Sequence, residues 1–243
     1  MRIYKTIKLA IFLAGSSTAL ATGINIPDNS FESISATVSA PKSLGVTVMG
    51  TNSINFGLWT GLAGASVIGL TPGTITVGTA ASLGGPTPLD GSYEARLSMG
   101  AGVGTFLSVR QTLSTAFNSY STYHLSLGFD AGANVSLLSQ ASLNLMAGNN
   151  SIASLSGNSL ITAIGNSGNY QTIGLDFTTG AIAPTGNIGI EFDVNSVLNL
   201  GANFYLDDAR LSIVTAPEPH PGMLIGAGLG MFALLSRFKK KNI

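Results

Sequence analysis

A two-residue alternation of apolar and polar positions recurs through the middle of this chain. In TYHLSLGFD, Tyr123, Leu125, Leu127 and Phe129 fall on one side, with His124, Ser126 and Asp130 on the other. TIGLDFT sets Ile173, Leu175 and Phe177 against Gly174 and Asp176. NIGIEFDVN sets Ile188, Ile190, Phe192 and Val194 against Glu191, Asp193 and Asn195, and TFLSVRQTL and VSLLSQASLNL share the habit. This period belongs to a strand with one buried face, and no segment here carries a helical stripe. AGANV, GNSGNY and GAIAPTGN supply turn residues between the runs. The expected fold is all-β: one jelly roll or β-sandwich over residues 22–215, with no internal repeat.

Both ends break the pattern. Residues 1–21 run from a basic stretch, MRIYKTIK, through apolar LAIFLAG to SSTALA. Ala19 and Ala21 supply the small residues of a signal-peptide cleavage site, so the mature chain is expected to start at Thr22. The alternative is an uncleaved anchor, although the apolar run is short for about 30 Å of hydrocarbon.

The chain finishes on APEPHPGMLIGAGLGMFALLSRFKKKNI. Proline lacks the N–H that a ladder requires, so Pro217-Glu218-Pro219 ends the last strand and opens an extended spacer. Residues 222–236 are uncharged and would make a helix of roughly 22 Å. Arg237, Lys239, Lys240 and Lys241 then form a basic stop that holds residues 237–243 on the cytoplasmic side. Triplet, short glycine-rich apolar helix and terminal basic cluster, in that order over residues 216–243, resemble a PEP-CTERM sorting signal. Ala216 stands where valine is more usual, and His220-Pro221 where small polar residues are common. The resemblance implies a Gram-negative host and processing at the triplet by an exosortase, a membrane-embedded transpeptidase. It also implies a transient membrane stage through the helix, then delivery to the cell surface or an exopolysaccharide matrix. A permanent tail anchor is the alternative.

Charge sharpens this picture. Between residues 22 and 216 only Lys42, Arg96, Arg110 and Arg210 are basic, against ten Asp and Glu. That acidic middle excludes a nucleic-acid partner, whose phosphates need a basic patch. The absence of cysteine removes disulfides, thiolate metal sites and a cysteine nucleophile.

Three stretches together resemble the galactose-binding-like jelly rolls of carbohydrate-binding modules: IPDNSFES around Asn29–Glu32, GLWTG around Trp59, and FYLDDARLSIV from Phe204 to Val214. The resemblance implies first and last strands side by side and a structural calcium ion beside them. Glu32 and one of Asp207 and Asp208 would be its ligands. Alternation puts Asp207 inside with Ala209, Leu211 and Ile213, and Asp208 outside with Arg210. Alternatively Glu32 and Asp207 accept backbone N–H groups, and Asp208 pairs with Arg210. For sugar stacking the candidates are Trp59 and Tyr93, then Tyr120, Tyr123 and Tyr170. Trp59 also reads as a core or rim residue, since it follows Phe56 and Leu58, and Tyr123 lies on the apolar side of its strand.

Little suggests catalysis. The mature chain has only His124 and His220; no Gly-x-Ser-x-Gly turn or His-x-x-x-His spacing accompanies them. Glu191 and Asp193, two apart on a polar face, read as solvated, and GAGVG at Gly100–Gly104 lacks dinucleotide-loop spacing. The resulting expectation is a non-enzymatic surface or matrix protein that associates with exopolysaccharide. A structural coat protein without sugar binding is the alternative. A hydrolase requires two carboxylates from different strands to converge in a pocket.

Overall fold

The computed structural model describes residues 21–32, 36–39, 50–65, 73–99, 105–131, 141–164, 169–196 and 202–215. Ala19, the triplet Pro217–Pro219 and the basic residues Arg237, Lys239, Lys240 and Lys241 lie outside them, as do both apolar terminal runs. Among the described residues no helix is long and apolar enough to cross a membrane.

In chain order the strands are β1 (Ala21–Ile24), β2 (Ala36–Ser39), β3 (Gly50–Phe56), β4 (Trp59–Ala65), β5 (Thr74–Thr79), β6 (Tyr93–Met99) and β7 (Thr105–Ala116). They continue as β8 (Ser121–Asp130), β9 (Ala141–Ala147), β10 (Asn150–Ser156), β11 (Gln171–Thr178), β12 (Asn187–Ser196) and β13 (Ala202–Thr215). Two short helices interrupt them, α1 (Ala80–Leu83) and α2 (Gly157–Ile164). The strands form two antiparallel sheets. Sheet A has the order β11-β8-β13-β6-β5-β2, with β1 also paired to β13; sheet B has the order β10-β9-β12-β7-β4-β3. The chain is an all-β sandwich, within the compact unit Ala21–Val214.

Alternation decides what lies between the sheets. Tyr123, Leu125, Leu127 and Phe129 from β8 are buried with Ile188, Ile190, Phe192 and Val194 from β12. Phe129 packs 4.9 Å from Phe192 and 6.0 Å from Phe204, ring centre to ring centre. Each such aliphatic or aromatic side chain contributes about 1.5–3 kcal/mol on burial, which fixes the register of strands that a one-residue slip would invert.

The last strand is long enough to serve two neighbours. Its first half pairs with β6, from Ala202↔Met99 to Leu206↔Ala95, and its second half with β1, from Leu211↔Ile24 to Val214↔Ala21. Between the halves Asp208 adopts φ 49°, a left-handed conformation unusual for a non-glycine residue. The facing of side chains shifts there. Phe204 and Leu206 point into the core, so Asp207 shares the outer face with Tyr205; after Asp208 the inward set is Ala209, Leu211 and Ile213. Simple alternation had put Asp207 inside with that later set. The irregularity at Asp208 corrects it.

A second correction concerns sheet B. Glu191 and Asp193 are not freely solvated: burial raises both carboxyl pKa values. Asp193 Oδ2 accepts from Ser142 Oγ at 2.8 Å and Asn144 Nδ2 at 2.6 Å, and Arg110 lies 3.8 Å from Glu191.

Candidate functional site

The outer face of sheet A collects three carboxyl groups from three adjacent strands. Ala95, Leu97 and Met99 of β6 fill the core, so Glu94 projects the other way with Arg96. Asp130 ends β8 one residue past the buried Phe129, and Asp207 follows from the β13 phasing. Glu94 and Asp207 are fully buried and Asp130 is 3% exposed, on a face where water is the usual neighbour.

Segment 84–92 provides the cover. α1 opens on Thr79, whose hydroxyl accepts the Ser82 N–H, and ends on Gly84 in the left-handed region at φ 69°. Gly85 then passes directly over Glu94 and the Tyr205 ring, where a Cβ would collide with the Glu94 carboxylate. The cover is fastened along its length. Arg96 Nη1 donates to the Leu83 carbonyl at 2.8 Å. Leu89 N and Asp90 N donate to Asp207 Oδ2 at 2.5 and 3.1 Å. Ser92 N and Tyr93 N donate to Glu32 Oε1 at 2.6 and 2.7 Å. Asn29 Nδ2 reaches both Asp90 Oδ2, at 3.3 Å, and Asp208 Oδ1, at 3.4 Å.

Beneath this cover the Tyr170 hydroxyl donates to Glu94 Oε2 at 2.6 Å, while Glu94 Oε1 is buried with no hydrogen-bond partner. Burial, reinforced by the neighbouring Asp130 charge, lifts the Glu94 carboxyl above the usual range, against the Tyr170 bond and Arg96. Burial likewise pushes Asp207 up to about 7, even though Leu89, Asp90 and Asp208 all donate backbone N–H groups to it. Tyr170 is driven up by burial and by its bond to Glu94, and stays a donor. Two buried carboxyls held above the usual carboxylate range are candidates for moving a proton. Tyr170 occupies Glu94 Oε2, which leaves Oε1 as the oxygen without a partner.

The residues expected beside calcium make protein contacts of their own. Glu32 and Asp207 each use one oxygen on two backbone N–H groups, and Asp208 pairs with Arg210 Nε at 2.8 Å, which is the alternative arrangement. Among the described residues no group of three or more His, Cys, Asp or Glu is arranged to hold a metal ion by side chains alone, while calcium also takes carbonyl oxygens. The aromatic candidates also sit differently from a sugar platform. Trp59 is 2% exposed, with Phe31 packed at 4.7 Å and its indole N–H on the Asp28 carbonyl at 2.7 Å. Tyr93 packs partly against the core, and Tyr123 is buried with its hydroxyl accepting the Asn118 N–H. Tyr120 is exposed on a turn. His124 is a surface residue bonded through Nδ1 to Asp176 at 2.6 Å.

Glu94, Asp130 and Tyr170 as a group escaped the sequence reading. Seventy-six residues separate Glu94 from Tyr170. The local trace was the Gly84-Gly85 pair just ahead of YEARLSM, the mark of a segment passing close over a neighbour.

Comparison with known proteins gives this cluster its context. A search of curated protein sequences finds no match. Among solved structures, the Stig cyclase Fisc from Fischerella sp. TAU, in complex with (3Z)-3-(1-methyl-2-pyrrolidinylidene)-3H-indole, aligns at TM-score 0.55 and 16% identity over 81% of this chain and 100% of its own. A cyclase from the same source, in complex with 4-(1H-indol-3-yl)butan-2-one, aligns at TM-score 0.55 and 16% identity over 80% and 98%. These likenesses establish a shared fold. The family model described as HpiC1 cyclase matches residues 22–212. That match overturns the expectation of a protein without catalysis, which rested on missing local motifs, whereas the carboxyls converge only in three dimensions. From its first strand to the second half of its last, the chain belongs to the HpiC1-like cyclase family.

Proposed function

We propose that this protein is an acid-type cyclase that closes a ring on an apolar, π-rich substrate, with Glu94 as proton donor. The observation that carries the reading is the buried, unpartnered Glu94 Oε1 within a cluster that burial holds toward neutrality. A proton leaves Oε1 for an electron-rich carbon of the substrate. A neighbouring π-bond attacks the resulting cation, forming the new ring bond, and loss of a proton to a carboxylate of the cluster restores neutrality. Product and substrate are isomers, so no oxidant or reductant is consumed. Tyr170 orients Glu94 and supports the carboxylate left after proton transfer, and Asp207 serves as the second proton site. Both Fischerella cyclases were solved with molecules containing an indole skeleton, which supports an indole-bearing substrate here.

Because segment 84–92 covers Glu94, a substrate enters when that segment lifts, hinging at Gly84 (φ 69°) and Gly91 (φ 65°). The terminal signals add an address: an exported enzyme, released by an exosortase at the cell surface or into the matrix. The test uses 4-(1H-indol-3-yl)butan-2-one as a binding probe, by calorimetry on the purified protein. Binding that weakens at least tenfold in Glu94→Leu with the fold intact supports the reading. No binding to the wild type, or equal binding to both, sinks it.

A further inference from the structure

A second concavity lies on the same outer face of sheet A, where β1, β13 and β8 run side by side. It encloses about 520 Å³ and is lined in part by Gly23, Asn25, His124, Ser126, Arg210 and Ser212. Their common orientation follows from the register. Gly23 is paired with Ser212, while the flanking pair Ile24↔Leu211 faces the core. His124 and Ser126 alternate with the buried Tyr123, Leu125 and Leu127.

Two features separate this groove from an ordinary solvated sheet face. The first is that its basic groups are held in place. Arg210 Nε is held by Asp208 Oδ1 at 2.8 Å, and His124 Nδ1 by Asp176 Oδ1 at 2.6 Å. Each basic side chain is steered by its own carboxylate, so the groove presents directed hydrogen-bonding groups. The groups still free among the described residues are the Arg210 Nη1 and Nη2 donors, His124 Nε2, the Ser126 and Ser212 hydroxyls and the Asn25 amide. In the tautomer that donates Nδ1–H to Asp176, His124 offers Nε2 as an acceptor. Donors, acceptors and hydroxyls that do either therefore alternate around one hollow.

The second feature is the floor. Gly23 leaves it open: a Cβ there meets nothing within 4 Å, and Gly23 has no left-handed φ that would demand glycine. The missing side chain answers to no packing need in the fold. It keeps a shallow, flat surface clear between the polar groups.

We propose that this groove is a binding site for a neutral sugar unit, separate from the acid cluster. Vicinal hydroxyls, each donating and accepting, match the mixed set of Arg210, His124, Asn25 and the two serines. The C–H face of the ring rests on the bare backbone at Gly23. A carboxylate or phosphate ligand lacks donors for His124 Nε2 and meets the Asp176 and Asp208 charges. The site gives the enzyme a way to be retained on a polysaccharide.

The test is chemical-shift mapping on the purified protein with neutral mono- and oligosaccharides at about 10 mM, which detects dissociation constants near 1 mM. A hexuronate and inorganic phosphate serve as anionic controls, and a soluble high-molecular-weight neutral polysaccharide as the polymer arm. Shifts at Gly23, Asn25, Ser126 and Ser212 with a neutral sugar are expected. They should weaken at least tenfold in Gly23→Leu, which fills the groove, and in Arg210→Gln, both with unchanged melting temperature. Response to the polymer and to short oligosaccharides alike supports the site in either setting. Silence toward every neutral sugar, equal shifts in Gly23→Leu, or tighter binding of either anion overturns it. Because Gly23 lies outside the acid cluster, failure here leaves the cyclase reading standing, and the Glu94 probe test does not touch the groove.

Discussion

The Tyr170 hydroxyl donates to Glu94 Oε2 at 2.6 Å, so a tyrosine just before β11 reaches a carboxyl on β6, across β8 and β13 in the sheet. A contact this short, to a carboxyl that burial holds above its usual pKa, orients the group and assigns its two oxygens different jobs.

Glu94→Gln is the direct consequence. The amide carbonyl can still accept from Tyr170, so the fold should hold, with a melting temperature equal to or above the wild type, since a buried ionisable group is removed. Ring-closing turnover, followed by mass spectrometry of isomeric products, should fall about 10²–10⁴-fold, the usual contribution of a general acid. Retained turnover would remove Glu94 from the mechanism.

Asp207 gives stability a pH dependence whose sign is determined. Its carboxyl rises from 3.8 to about 7 on folding, so the native state holds the proton more tightly than the unfolded chain. This contribution is fully present below about pH 4 and is lost as pH rises through about 7; the upward shift of Glu94 acts in the same direction. Urea midpoints should therefore decline between pH 5 and 8, by up to a few kcal/mol in unfolding free energy. Asp207→Asn should flatten the decline. A stability that rises over this range would contradict the assignment.

Glu32 acts as a latch, with one oxygen on both Ser92 N and Tyr93 N. Glu32→Ala should cost about 1–3 kcal/mol. It should also speed hydrogen exchange at Leu89, Asp90, Ser92 and Tyr93 well beyond any change in β9. Since these carboxylates already hold backbone donors, the melting temperature should be the same in EDTA and in millimolar calcium. A rise of several degrees with calcium would mean that the segment rearranges around the ion.

The ends of the chain make a prediction of their own. Intact mass of the protein from its native host, fractionated between membrane and matrix, should show a species that starts at Thr22 and ends near Pro217 to Pro219, outside the cell. A species that keeps Lys241 and stays in the membrane would mean a tail-anchored enzyme.

Much of the sandwich was legible from short segments. The apolar positions of TYHLSLGFD, TIGLDFT and NIGIEFDVN share one side at period two, and burial selects that side whatever the neighbouring strands are. Turn residues marked some strand ends for equally local reasons, GAIAPTGN between β11 and β12 among them. The pairing of β1 with β13 came from a family resemblance that the structure upholds at that point.

The site was decided elsewhere. Asp208 takes a positive φ where the two halves of β13 pass from one partner to the other, and no pattern within FYLDDARLSIV records that change of facing. Glu94 is one acid at the head of a run, YEARLSM, in which nothing local marks it as buried. It became a buried one only when Gly84 to Ser92 folded back over it, tied down by Asp207 and Glu32 from distant parts of the chain and by Arg96 at Leu83. Alternation determines which way a side chain points. Whether water or another segment waits there depends on long-range contacts, and with it whether a carboxylate is a solvated charge or an acid.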